Sequence, residues 1–439
     1  MAATDAARTP ILTSPHPLCL IPHPSTSPSL LRFVGRGVGW GGRVRAKGSR
    51  TTVAAEHWRP GPAFGLILSH FALFGIIAGV RGVVWAEMVD ALRIGSGAFG
   101  TAQLAASFAS IAAVVLYARV AARTGTRSIA LVGLALITAS MLGLAGAGSL
   151  ATLIVALAIL GAGTGLLDGA MIQGSVDWER LARRARMNVM HAGFSIAAVV
   201  GAIGAGIGLA AGASYNALLV GAAGFSLLTF VATLFIAYPP TGESAREERG
   251  DWRVVLASGA VRTLIGIILF GIVVESVAFI WAVIYLREEL GASAAAGGAS
   301  FALFNATMFA GRLANTPLVA RSGPRVSLLA SGIGIGAGGL LLVVAGSVPL
   351  AMAALALVGL GVAGIFPTVM SAAAARLPDR SRELTAVVMI VTYLAFMVTP
   401  PAIGWVAELS SLRIAMILLP VSGGAIVWLA ARGREMTQA

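Results

Sequence analysis

Residues 62–85, PAFGLILSHFALFGIIAGVRGVVW, decide the fold class, because only His70 and Arg81 are ionisable in a run long enough to cross a bilayer as a helix. Backbone amides in lipid must be paired within the segment, which favours helices, and the run lacks the alternation of a barrel strand. Eleven similar stretches follow, and we number the twelve as spans 1 to 12: 98–118, 128–147, 150–173, 187–210, 214–237, 262–286, 295–317, 325–346, 349–372, 384–407 and 411–431.

The composition agrees with a membrane protein. Only 11% of the 439 residues are charged and 57% are hydrophobic, whereas a soluble domain carries about 25% charged residues. The net charge of +13 does not indicate nucleic-acid binding, because the arginines lie in short clusters between apolar stretches and not on one basic face. Cys19 is the only cysteine, so neither an intrachain disulfide nor a cysteine-based metal site is expected, and no cofactor is predicted.

The arginine distribution predicts the orientation. Seventeen arginines lie in the loops after spans 2, 4, 6, 8 and 10 and in the C-terminal tail, against only Arg93, Arg287 and Arg413 in the opposite loops. By the positive-inside rule, both termini are expected in the cytoplasm, with the chain in the bacterial inner membrane.

The chain divides into five predicted regions. Residues 1–57 are rich in Ser, Pro and Arg and are expected to be a disordered or mis-called extension, with a cleaved leader as the alternative. A six-span bundle (58–237) and a second one (259–432) are joined by a charged cytoplasmic linker (238–258), and a short tail (433–439) follows.

Several motifs resemble the major facilitator superfamily. ARVAARTGTR at 118–127 looks like the family's basic loop after span 2, and GRLANTPLVARSGPR at 311–325 repeats it after span 8. GLLDGAM at 165–171, MNVMHAGFS at 187–195 and ESVAFIWAVIYLREELGAS at 275–293 are similar to the bacterial sugar:proton symporters and their uncharacterised relatives. The resemblance implies two six-helix bundles that move a small solute by alternating access.

The departures from the family pattern bear on function. Ala122 and Thr316 stand where acids of the two basic loops are expected, so a charge relay between the halves is in doubt. GAIGAGIG at 201–208 lacks the Gly-Pro pair of many drug:proton antiporters, which favours uptake over efflux.

Three ionisable residues within the predicted spans are candidates for proton coupling. Glu275 lies near the middle of span 7, where a carboxylate cannot reach water. Asp168 in span 4 and His191 in span 5 lie nearer the cytoplasmic end, and a pair between them is possible. Either a structural acid or a solvated vestibule would also explain these positions.

Other polar and aromatic residues are candidates for the solute cavity or for gating. The cavity candidates are His70, Asn188, Trp281, Asn305 and Tyr393. Arg81, near the far end of span 1, is expected to extend toward the membrane surface. Basic residues predicted to control conformational cycling are Arg123, Arg127, Arg312 and Arg321.

Two glycine patterns and one missing motif argue against a nucleotide-dependent function. The patterns at 161–165 and 359–364 lie inside spans 4 and 10 and are interpreted as helix contacts, not as a dinucleotide site, and no Walker-type loop indicates ATP use. The sequence therefore predicts a monomeric secondary transporter, not an enzyme, with a small solute, protons and lipid as partners. The leading hypothesis is uptake of a sugar-like or other small polar solute, and the alternatives are efflux of amphipathic compounds or solute sensing.

Overall fold

The computed structural model describes residues 58–184, 186–240, 252–377 and 380–433, and this part of the chain is helical. Residues 1–57 and most of the predicted linker lie outside it, so those two predictions are untested. Short helices, Trp252–Ala257 and Ala282–Leu290, flank span 7. The spans are Pro60–Leu92, Ser96–Thr124, Thr126–Ala145, Leu150–Ala182, Met187–Ala210, Tyr215–Phe235, Gly259–Ile280, Ala294–Val344 (spans 8 and 9), Val348–Val362 with Ile365–Arg376 (span 10), Ser381–Leu409, and Leu412–Ala415 with Leu418–Arg432 (span 12).

Within the described residues, eleven helical segments are long and apolar enough to cross a membrane, and one of them contains two predicted spans. Within Ala294–Val344, Gly323 has φ 79° and ψ 167°, which no helix contains. The Ser327 hydroxyl donates to Asn315 Oδ1, although twelve residues of straight helix would separate these groups by about 18 Å. The chain therefore reverses at Gly323, and its two arms are spans 8 and 9.

The two bundles repeat one design at a separation of 198 residues. Gly125 precedes span 3 with φ 80°, and Gly323 precedes span 9 with φ 79°. Two residues later, Arg127 and Arg325 donate to the free carbonyl oxygens that end spans 6 and 12. These acceptors are Thr233 O (2.9 Å) and Leu234 O for Arg127, and Ala430 O (3.0 Å) and Ala431 O (2.8 Å) for Arg325.

The glycine patterns follow the same repeat. A Cβ atom at Gly161 would lie 1.9 Å from a backbone oxygen of span 2, and one at Gly359 would lie 2.6 Å from a backbone oxygen of span 8. Gly163 and Gly361 approach spans 3 and 9 in the corresponding way. These glycines let helices pack at close range, as small residues do in membranes.

The bundles are joined at the ends of the spans that carry few arginines, which we call the arginine-poor end. A Cβ atom at Gly298 of span 8 would lie 2.6 Å from the Ala202 carbonyl oxygen and 2.9 Å from the Gly206 Cα atom of span 5. A Cβ atom at Gly404 of span 11 would lie 2.3 Å from the Ser96 carbonyl oxygen of span 2. Backbone is thus in direct contact between the bundles on both sides of the interface.

Candidate solute site between the two bundles

Three predicted residues come together where the bundles face each other. The Arg312 guanidinium, from span 8, lies within electrostatic range of both the Glu275 carboxylate of span 7 and the His191 imidazole of span 5. Glu275 and Arg312 are half-buried, whereas His191 is exposed and has an edge contact with Phe71 at 4.9 Å between ring centroids. The cluster therefore brings together an acid and two basic groups from different bundles, and one of them, His191, is exposed.

Asp168 and Tyr393 form a second contact between the bundles. The Tyr393 hydroxyl, from span 11, donates to Asp168 Oδ2 at 3.5 Å. One turn nearer the arginine-poor end, the Ser107 hydroxyl of span 2 donates to the Phe396 carbonyl oxygen at 3.4 Å. The bond to Tyr393 takes the place of the Asp168–His191 pair that the sequence allows.

His70 has a different environment from the predicted one. It is fully buried inside the N-terminal bundle, with Nε2 3.0 Å from the Thr233 hydroxyl and Nδ1 3.2 Å from the Tyr238 hydroxyl. Thr233 donates its own proton to the Thr229 carbonyl oxygen at 2.7 Å. The geometry therefore assigns the ring proton to Nε2, and both ring nitrogens bond within the bundle and not toward a solute in this conformation.

An aromatic layer, formed by Trp85, Phe99 and Trp281, lies beneath the arginine-poor end. Phe99 packs edge-on against both tryptophans, at 5.4 Å from Trp85 and 5.6 Å from Trp281 between ring centroids. Trp281 is 0% exposed, and its indole N–H has no acceptor among the described residues. Asn305 is also fully buried; its amide donates to the Phe301 carbonyl oxygen at 2.9 Å, while its Oδ1 has no donor in the described chain.

The predicted basic loops are largely helical. Arg123 lies in the last turn of span 2 and is exposed, and Arg321 is exposed just before the reversal at Gly323. Helical structure reaches these positions because span 2 extends to Thr124 before a single glycine separates it from span 3. Arg127 binds the end of span 6 and Arg312 lies near Glu275. Among the described residues, Arg123 and Arg321 have no recorded partner and remain the candidates for the predicted role. Asn188 lies in the first turn of span 5, and its side chain is outside the described part.

Two acids that were not predicted as site residues, Glu87 and Glu408, link the bundles at the arginine-poor end. Glu87 of span 1 forms an ion pair with Arg287, just beyond span 7, and thereby links the bundles. Glu408 of span 11 accepts from the Gly97 amide at 3.0 Å, at the start of span 2, where a carboxylate is favoured by the helix dipole. In the sequence these acids stand at the ends of predicted spans. A charged side chain at the membrane surface is usually just solvated, so this position alone does not indicate a contact between the bundles.

Glu288, next to this ion pair, lies beyond the end of span 7. Although the residue is exposed, desolvation of its carboxylate by the surrounding protein raises the pKa to about 7, and the neighbouring carboxylates of Asp90 and Glu289 act in the same direction. Like charges are therefore gathered at the end where the bundles close.

Arg81 was expected to extend toward the membrane surface, but in the structure its side chain is held by contacts within span 1. Its Nε donates to the Ile77 carbonyl oxygen at 3.3 Å, one turn back along span 1. The guanidinium carbon lies 5.8 Å from the centroid of the Trp85 ring. These two contacts hold the guanidinium against its own helix, between the Ile77 carbonyl oxygen and the Trp85 ring.

Comparisons with known proteins agree on the class of protein. The family model described as Major Facilitator Superfamily matches residues 64–316 and 263–438. An uncharacterised transporter of Sinorhizobium fredii is 27% identical over 385 residues, covering 83% of this chain and 96% of the relative. An uncharacterised MFS-type transporter of Yersinia pestis is 27% identical over 362 residues, covering 80% and 92%.

Solved structures share the fold. The nucleoside transporter NupG superposes with a TM-score of 0.68 at 12% identity, covering 86% of this chain and 100% of that one. A bacterial homologue of the human lysosomal transporter Spinster, in an inward-facing and unoccupied conformation, superposes with a TM-score of 0.69 at 14% identity, covering 86% and 98%. At such identities the likeness establishes the architecture of two helical bundles and nothing about the solute.

Proposed function

Because the chain belongs to the major facilitator superfamily of membrane transporters, we propose that it takes up a small polar solute by proton-coupled alternating access. It would act in the inner membrane with both termini in the cytoplasm. The observation that carries the proposal is the cluster of Glu275, Arg312 and His191 at the interface of the two bundles. An ionisable residue inside the membrane is costly, and it is normally kept for transport or for a proton.

The direction of opening supports the mechanism. The bundles touch backbone to backbone at the arginine-poor end, while His191, on the other side of the aromatic layer, is exposed. If the arginine-rich end faces the cytoplasm, this conformation is open inward. The Spinster homologue, named as inward-facing, is one of the solved structures of similar shape.

Glu275 is suited to exchange a proton in each cycle. Its ionised form is balanced by the Arg312 guanidinium across the gap between spans 7 and 8. Both residues belong to the C-terminal bundle, and protonation of Glu275 changes the net charge that this bundle presents to His191 of the N-terminal bundle. Asp168, whose bond to Tyr393 joins spans 4 and 11, is the second candidate, and His191 is the third.

The proposal is tested with the full chain reconstituted in liposomes. Sugars, polyols and organic acids are first screened by thermal stabilisation, and any stabilising compound is then followed as labelled uptake with and without an imposed pH gradient. Uptake that exceeds the equilibrium concentration only when a pH gradient is present supports proton coupling. Equal accumulation with and without the gradient contradicts it.

Efflux of amphipathic compounds is a second candidate, and one observation favours it. A groove of about 470 Å³ between spans 5 and 8 is lined only by aliphatic side chains, including Ile203, Ile207 and Leu303. Such a groove could admit an apolar compound from the bilayer. Gradient-dependent extrusion of a lipophilic dye from cells, absent without the protein, would favour this function over uptake.

A further inference from the structure

Arg81 is a cation inside the membrane whose charge is not balanced by any carboxylate of the described residues. Only its Nε has an acceptor, the Ile77 carbonyl oxygen, and the four hydrogens on its terminal nitrogens have none in the described chain. Arg312, by contrast, has Glu275 within electrostatic range. A charge in a medium of low dielectric constant is costly unless it is paired and hydrogen-bonded.

Two further unsatisfied donors belong to the aromatic layer or to the helix turn next to it. Gln103 is 7% exposed, and its Nε2 has no acceptor in the described structure; the Trp281 indole N–H has none either. Arg81 precedes Trp85 by four residues and Gln103 follows Phe99 by four residues, and spans 1 and 2 run in opposite directions. The backbone positions of both residues therefore lie one helical turn, about 6 Å, from those of Trp85 and Phe99 on the membrane-interior side.

The three donors come from three spans of both bundles. Arg81 belongs to span 1, Gln103 to span 2, and Trp281 is the residue that ends span 7. The rings of the aromatic layer connect Arg81 to Trp281. A cation and two N–H groups without acceptors are complementary to an anion that brings oxygen acceptors. We propose that Arg81, with Gln103 and Trp281, binds a carboxylate group of the transported solute.

A carboxylate fits better than a phosphate on charge. The guanidinium presents parallel N–H groups that match the two oxygens of a carboxylate, and one cation balances one negative charge. A phosphate monoester carries nearly two negative charges, for which this layer offers one arginine. The rest of the solute extends toward Glu275, which lies six residues, or about 9 Å along span 7, from Trp281.

This inference rests on the proposed transport function and is tested by binding alone, in the absence of a gradient. The thermal midpoint of the purified full chain is measured with sodium acetate, sodium gluconate, glucose 6-phosphate and glucose, against sodium chloride at equal ionic strength. The variants are Arg81→Gln, Arg81→Lys, and Arg59→Gln as the control, since Arg59 is exposed at the start of the same span.

We expect acetate or gluconate to raise the midpoint of the unaltered protein and of Arg59→Gln, with half-saturation at least about tenfold weaker in Arg81→Gln. Arg81→Lys keeps the charge but not the fork and should lie between them. The proposal would be overturned if carboxylates shifted the thermal midpoint of all variants equally, or of none. It would also be overturned if they shifted the midpoint less strongly than glucose 6-phosphate does. Glucose that stabilises the protein and Arg81→Gln alike would also overturn it, leaving proton-coupled transport intact. Arg81-dependent binding without gradient-driven uptake would instead contradict the transport function.

Discussion

The contact between Gly298 and Gly206 lets us predict how the transporter responds to one added methyl group. In Gly298→Ala the new Cβ atom would lie 2.6 Å from the Ala202 carbonyl oxygen, whereas ordinary contacts begin near 3.4 Å. Spans 5 and 8 must therefore separate by about 0.8 Å, and backbone atoms cannot rotate away. Overpacking of this kind costs about 1–3 kcal/mol, and the cost falls only on the conformation in which the arginine-poor end is closed.

The expected result is a shift of the conformational equilibrium. A free energy of about 1–3 kcal/mol changes the ratio of the two conformations by roughly 5- to 150-fold. Ala278, which is 3% exposed and lies one turn inside Trp281, is suited to report the opening when changed to Cys. In a Cys19→Ser background, a thiol reagent that cannot cross the membrane is applied to whole cells, and its labelling rate should rise by that factor in Gly298→Ala.

Gly204→Ala is the matched control, because a Cβ atom at Gly204, also in span 5, meets nothing within 4 Å. Its labelling rate should stay within about twofold of the background protein, since no contact changes. Monodisperse Gly298→Ala protein that is labelled at the control rate would refute the claim that this backbone contact closes the arginine-poor end.

Two further predictions concern stability. Because the folded protein holds the Glu288 proton more tightly than the unfolded chain, Glu288 contributes stability below its ordinary pKa of 4.5 and loses it as the pH rises to about 7. The thermal midpoint should therefore fall relative to that of Glu288→Gln across this range and stay level above it; parallel curves would contradict the assignment. Arg127→Gln and Arg325→Gln should each lower the midpoint through the loss of about 1–2 kcal/mol of capping bonds, while Arg119→Gln, at an exposed site, should not. Clearly different decreases of the thermal midpoint in Arg127→Gln and Arg325→Gln would contradict the structural equivalence of these two arginines.

The sequence predicts the spans well because the bilayer limits a buried backbone to helices of a fixed length. Hydropathy shows where an apolar stretch leaves the membrane but not where its helix ends. The prediction therefore fails for span 2, which continues as a helix through the predicted loop to Thr124. The 198-residue repeat could have been found by aligning Gly161 with Gly359, which would also have paired Arg127 with Arg325.

The candidate site is less accessible to sequence reasoning. Position along a helix gives depth but not the partner, so His70 and Glu275 look alike in the sequence although one is bonded inside a bundle and the other faces Arg312. The direction of a long side chain is also undetermined. The sequence allows Arg81 to extend toward the surface or to lie near the Ile77 carbonyl oxygen. Its contact with the Trp85 ring, which favours the second conformation, is seen only in the structure.

Transport by liposomes containing Glu275→Gln tests the proposed coupling most directly. Gln keeps the shape of the side chain but cannot carry a proton between the two sides. We predict that this variant still binds solute and exchanges it downhill, but no longer accumulates it when a pH gradient is imposed. Accumulation by Glu275→Gln equal to that of the unaltered protein would contradict the assignment of the coupling proton to Glu275.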